Sequence, residues 1–307
     1  MVVVLSGKNS YLLQKNLQDI TQEFIAEFGD GIERFDGSEL TSADGVLDAV
    51  RSVSFLQPRK LVVIRDFAQS KDLLEKIETI VEQTADSTDL LLVDQKLDKR
   101  TVAYTYLKKN CEIQIFDDLA PYDLQRWLVD VSKKMGITLS ADNAKFLVDR
   151  VGPNQQLLHS ELEKLSLQTA PITKAVIEEL VEPTPQSKVF DMLEALFTGH
   201  AEKAQQLYQD QRAQGEEPQK LLAMITWQLQ QLTLAVFAPN KNVDTLTRAG
   251  MSPYGAQKAL QMAKHITARD LKFYITELAV IDEMSKTNAD IESALSVYFS
   301  EITKVKK

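Results

Sequence analysis

Five short apolar runs, at residues 2–5, 32–35, 61–64, 90–93 and 113–116, constrain the fold of this chain more than any other feature. Helical patterns lie between them: Leu13, Leu17, Ile20 and Phe24 recur at helical spacing, as do Leu73, Leu74, Ile77, Ile80 and Val81. The β-branched run at 61–64 has the continuity of a strand covered on both faces. Strands alternating with helices in this way imply a parallel sheet with helices on both sides. The expectation is an α/β domain over residues 1–118, with a sheet of five parallel strands.

After Asp118 the pattern is helical throughout. Pro121 suits a first helical position, Ser140 and Thr173 suit N-caps, and Gly136 suits the residue just past a helix end. These signals predict a small all-α domain over 119–183. Residues 182–187, with Pro183 and Pro185, read as a linker. A second all-α region over 188–307 carries amphipathic helices and reads as a collar-like bundle. Trp127 and Trp227 read as core aromatics, since no basic cluster surrounds either.

The 307 residues carry a net charge of -9, which argues against a dominant non-specific nucleic-acid surface. Cys111 is the single cysteine, so no intrachain disulfide can form and a reducing compartment fits. The opening residues lack the basic and long apolar regions of a signal peptide, and no apolar run approaches the roughly 20 residues of a membrane span. A cytoplasmic location is expected, with no membrane partner.

The catalytic inventory is empty. The first strand-to-helix turn, Ser6-Gly7-Lys8-Asn9-Ser10, retains a glycine and a lysine. It lacks the upstream glycine of a phosphate loop, and Asn9 stands where a hydroxyl should bind magnesium. Asp66, Asp94 and the pair Asp117-Asp118 follow strands without forming the acidic pair that an ATPase requires. His159, His200 and His265 are scattered, with no partners at metal-ligand spacing. No catalytic residue, cofactor or metal is expected.

The remaining feature is the stretch between a short helix and the third strand. Val46, Val50 and Val53 recur at helical spacing and should share one inward face. Pro58 halts any long continuation, so Phe55 and Leu56 fall at the helix end. Such a pair, presented on a tip anchored by a core strand, fits a protein–protein hot spot. On the residues alone, burial of both in the core is the favoured reading, because large apolar side chains are usually inside.

The chain resembles the delta subunits of bacterial DNA polymerase III clamp loaders. The likeness is carried by Ser54-Phe55-Leu56-Gln57-Pro58-Arg59, by Glu161-Leu162-Glu163-Lys164-Leu165, by the stretch 189–196 followed by Gly199, and by Gly215-Glu216-Glu217-Pro218. It implies an AAA+-like sheet domain without a working phosphate loop, a helical lid and a helical collar. It also implies a ring with the delta-prime subunit and three tau/gamma ATPase subunits, a ring-shaped sliding clamp (beta) as partner, and primer-template DNA reached through the complex. By position, Phe55 and Leu56 match the pair that enters the clamp's hydrophobic pocket, with Ser54 and Arg59 beside them. This reverses the burial reading. The family pair usually runs Leu-Phe, and here the order is Phe-Leu. Two rivals are an active AAA+ ATPase with a divergent phosphate loop, in which Lys8 would be needed, and a helical adaptor unrelated to replication.

Overall fold

The apolar runs at 61–64 and 90–93 become two of the three interior strands of a sheet whose sides are both covered. The computed structural model describes residues 1–53, 57–168, 171–286 and 290–301, with the side chains of 300 and 301 set aside. These residues form two compact units, Met1–Asp118 and Leu119–Lys307.

In the first unit the elements run β1 (Val2–Ser6), α1 (Ser10–Phe28), β2 (Ile32–Asp36), α2 (Asp44–Arg51), β3 (Lys60–Arg65), a short 3-10 turn (Phe67–Gln69), α3 (Lys71–Glu75), α4 (Ile77–Glu82), β4 (Thr88–Asp94), α5 (Val102–Asn110) and β5 (Glu112–Ile115). The five strands pair in the order β2-β3-β4-β1-β5, and every pairing is parallel. Successive side chains point to opposite faces. Val4, Val62, Ile64, Leu90 and Leu92 therefore pack with Val46 and Val50 of α2, Leu73 of α3, Ile77 and Ile80 of α4, and Leu107 of α5. Val3, Leu5, Leu61, Val63, Leu91 and Val93 pack with Leu13, Leu17 and Phe24 of α1.

One expectation fails at the end of α2. The helix stops at Arg51, and Val53, which the spacing assigned to the inward face, is 59% exposed. The physical reason is local: Ser52 adopts extended backbone, and its hydroxyl donates back to the carbonyl of Ala49 at 3.1 Å.

In the second unit, α6 (Pro121–Lys134), α7 (Ala141–Val151), α8 (Gln155–Ser166) and α9 (Lys174–Leu180) gather around Leu124, Leu128, Leu147, Leu158, Leu162 and Ile177. Then follow α10 (Pro185–Phe197), α11 (Ala201–Ala213), α12 (Pro218–Phe237), α13 (Val243–Arg248), α14 (Pro253–Met262), α15 (Ala268–Ser285) and α16 (Ile291–Glu301). Five of these, α10, α11, α12, α15 and α16, with Met262 at the end of α14, share a core that includes Met192, Tyr208, Ile225, Leu229, Tyr274 and Leu295. The stretch 182–187 is not a linker along its whole length. Thr184 caps α10 by accepting from the N–H of Ser187 at 3.2 Å, and Pro185 occupies the first turn. Nor is Trp227 a core residue, since it lies 43% exposed on α12. Trp127 packs, half-buried, against the core of α6–α9.

That core is completed from outside. Tyr254 of α14, 7% exposed, packs into it, and the phenol donates to Asp149 Oδ1 at 3.4 Å. Lys258 pairs with the same oxygen at 2.8 Å, and the hydroxyl of Ser187 donates to the carbonyl of Asp149 at 2.6 Å. Among the described residues no helix is long and apolar enough to cross a membrane.

Candidate functional site

Ligands of open parallel sheets settle at the C-terminal ends of the strands, where the connections part to opposite sides. In this sheet that point lies between β1 and β4, whose ends carry the Gly7 turn and Asp94. The turn is closed by the exit of β5. The N–H of Phe116 donates to the carbonyl of Ser6 at 2.7 Å, and the N–H of Asn9 donates to the carbonyl of Phe116 at 3.0 Å. Gly7 has φ +143, and a Cβ there would stand 1.9 Å from the Phe116 carbonyl oxygen. Asn9 is buried; its side-chain oxygen accepts from the N–H of Leu12 at 3.1 Å, and its amide donates to the carbonyl of Asp117 at 3.3 Å. Two amides of this turn, those of Asn9 and Leu12, are thus directed at the protein's own backbone and cap rather than outward. Lys8 projects into solvent.

The carboxylates near this edge also serve the fold. Asp94 is buried and accepts from the N–H groups of Ala68 and Lys96, both at 2.9 Å. Burial pushes its carboxyl up, with the charge of Asp66 adding to the effect and the two N–H donors opposing it. Asp66 itself holds a left-handed backbone, φ 49. Asp117 and Asp118 are exposed. Among the described residues no cluster of His, Cys, Asp or Glu is arranged to hold a metal.

The opposite edge of the sheet carries the stretch between α2 and β3. Ser54, Phe55 and Leu56 lie outside the described residues. Both feet of the stretch are described, and consecutive cations hold them on opposite faces of the sheet. On the α1 face, Arg59 makes a two-pronged bond to Asp89, Nε to Oδ2 at 3.0 Å and a terminal nitrogen to Oδ1 at 2.6 Å. The amine of Met1 reaches the same carboxylate at 2.8 Å, and the guanidinium lies 5.9 Å from the ring centre of Phe28. Burial alone would push the Asp89 carboxyl up. The bonds from Arg59 and the Met1 amine outweigh it and hold the group below the usual carboxylate range.

On the α2 face, Lys60 is buried, and its ammonium group donates to the Ser52 hydroxyl at 2.7 Å and to the carbonyl of Ala49. Glu33 Oε1 of β2 completes its surroundings at 3.1 Å. The backbone adds further ties: Ala85 N–H to Val50 carbonyl at 3.0 Å, Lys60 N–H to Ser87 carbonyl at 2.9 Å, and Leu61 N–H to Gly31 carbonyl at 2.8 Å. Gln57 lies so close to Gly31 that a Cβ there would come 1.9 Å from its Oε1.

Of the residues singled out from the sequence, Arg59 is thus engaged with Asp89. Lys60, Asp89 and Glu33 were not singled out. A signal existed in the charged residues that open the two most apolar strands, Lys60 before 61–64 and Asp89 before 90–93.

In the second unit, Trp227 on α12 and Ile275, Val280 and Met284 on α15 are apolar and partly exposed, as is Val297 on α16. Shallow grooves run beside them, one lined by Leu229, Ile275 and Leu278, another by Val280, Met284 and Val297.

Two family models match the chain, "DNA polymerase III, delta subunit" over residues 4–116 and "DNA polymerase III delta subunit, C-terminal domain" over residues 186–301. The DNA polymerase III subunit delta of Bacillus subtilis (strain 168) is 24% identical over a 323-residue alignment that spans 99% of this chain and 93% of that relative. The solved structure of the Bacillus subtilis DNA clamp loader delta protein shares the fold, with a TM-score of 0.77 at 22% identity, over 99% of this chain and 95% of that one. With its sheet unit and its C-terminal helices both matched, the chain belongs to the DNA polymerase III delta subunit family.

Proposed function

We propose that this chain is a non-catalytic subunit of a cytoplasmic clamp loader that binds a ring-shaped sliding clamp through the tip between α2 and β3 and favours the opened ring. Phe55 and Leu56 enter the clamp's apolar pocket, with Ser54 beside them and Arg59 acting as the anchor of the tip. A binder that prefers the open ring shifts the population toward it by no more than its difference in affinity for the two forms. Residues 119–183 serve as the lid and 188–307 as the collar, through which the chain joins delta-prime and the tau/gamma ATPase subunits. The partly exposed Trp227, Ile275, Val280 and Met284 supply an apolar surface for that assembly. Primer-template DNA is met through the complex.

The observation that carries this reading is the pairing of a filled phosphate turn at Gly7–Asn9 with a stretch whose feet are pinned on the far edge of the sheet. ATP hydrolysis accordingly belongs to the partner subunits, and the isolated chain is expected to show none. The decisive test is binding to the cognate clamp by gel filtration and calorimetry, wild type against the Phe55→Ala/Leu56→Ala double variant. Two hot-spot residues predict a loss of about 4 kcal/mol, with the circular dichroism spectrum unchanged. Clamp affinity equal to wild type would refute the assignment.

A further inference from the structure

We infer that Lys60 is a positioning residue for the tip: its buried ammonium group joins the end of α2 to the start of β3 and closes the neck of the stretch from 52 to 60. The inference rests on the reading that this tip meets the clamp, and it adds a residue that does not touch the clamp.

Packing alone does not call for a cation here. Lys60 faces the same side of the sheet as Val62 and Ile64, where a methionine or leucine would extend the apolar surface. Burying an ammonium group is costly unless its three donors find acceptors. They do: the Ala49 carbonyl and the Ser52 hydroxyl come from the last turn of α2, and Glu33 comes from β2. A cation at a helix C-terminus also meets the negative end of the helix dipole. Two of the acceptors, Ala49 and Ser52, sit where the stretch begins and the donor sits where it ends. One side chain therefore ties the two feet directly to each other. A recognition segment held in this way loses less conformational freedom on binding, and the gain shows as affinity without a new contact.

Lys60→Met keeps the aliphatic stem and removes the three polar ties. In the full-length chain it should speed amide hydrogen exchange across residues 49–60 and weaken binding to the cognate clamp about tenfold. It should not weaken binding further in the Phe55→Ala/Leu56→Ala background, because the tip it positions is already silent there. A helix cap of purely structural importance would lower stability equally in both backgrounds and leave clamp affinity unmoved. Ser52→Ala removes one acceptor only and carries the same test at smaller amplitude should Lys60→Met fail to fold. Unchanged exchange, unchanged affinity in the folded variant, or the same affinity loss in both backgrounds overturns the role given to Lys60. An affinity untouched by Phe55→Ala/Leu56→Ala overturns the tip reading instead, so the two failures are told apart.

Discussion

Strand β4 carries a carboxylate near each end, and the two live under opposite electrostatics. Asp89, the second residue of the strand, lies between Arg59 and the Met1 amine and is held below its usual pKa. Asp94 closes the strand, receives two backbone N–H groups and, among the described residues, no cation, and is pushed above it. The contrast extends to the whole sheet. At its C-terminal edge, the ordinary ligand edge of a parallel sheet, the Gly7 turn is closed on the exit of β5 by neutral backbone hydrogen bonds. Its N-terminal edge carries the charges of Arg59, Lys60, Asp89 and Glu33, which tie the two feet of the stretch between α2 and β3. The core between the two edges is indifferent to what either end holds, so each edge can carry its own electrostatics.

The largest effect expected from breaking this contrast is at Gly7. An alanine there would place its Cβ 1.9 Å from the Phe116 carbonyl oxygen, on a backbone at φ +143 that side chains avoid. Gly7→Ala should destabilise the sheet unit by about 3 kcal/mol, read as faster hydrogen exchange in β1 and β5. A silent substitution would mean that the turn is open rather than filled.

Next comes Asp89→Asn, which leaves the shape but removes the charge opposite Arg59. With Asp89 nearly buried and Arg59 partly solvated, the loss should be about 2 kcal/mol at neutral pH. Because the folded pKa is lowered, the wild-type advantage is complete above the unfolded value of about 4 and disappears as pH falls through the folded one. Urea titrations of the two proteins should converge in acid.

The smallest effect belongs to Asp94→Asn, about 1 kcal/mol or less at neutral pH. Its pH course runs the other way. A raised folded pKa stabilises the protonated form, and that contribution is lost as pH climbs from about 4 through the folded value. The gap between variant and wild type should therefore narrow as pH rises. Parallel slopes for the two variants would dissolve the contrast between the strand ends.

The class of fold was legible because a β-branched run such as 61–64 has few ways to be satisfied, and because the helical spacings between runs leave room for crossovers. The strand order was not. Nothing local tells β1 to sit between β4 and β5, since that follows from which faces cover which helices across long separations. The end of α2 was misjudged by two residues, at Val53, because the stop comes from Ser52 and from an ammonium group eight residues further on rather than from Pro58. Arg59 was visible as part of a motif, yet its partner Asp89 lies thirty residues away and is revealed only by the register of β3 on β4. Trp227 was read as core because no basic cluster surrounds it, yet spacing alone does not say which face of α12 it takes, and it lies 43% exposed.

The tyrosine that α14 contributes to the α6–α9 core bears on how this chain can be dissected. A polypeptide ending at residue 183 would lack the ring that plugs its centre and the partners that steady Asp149, a loss on the order of 3 kcal/mol or more for a small bundle. Those four helices are therefore not an exchangeable module. Grafting them onto another scaffold requires bringing along a helix encoded some seventy residues downstream.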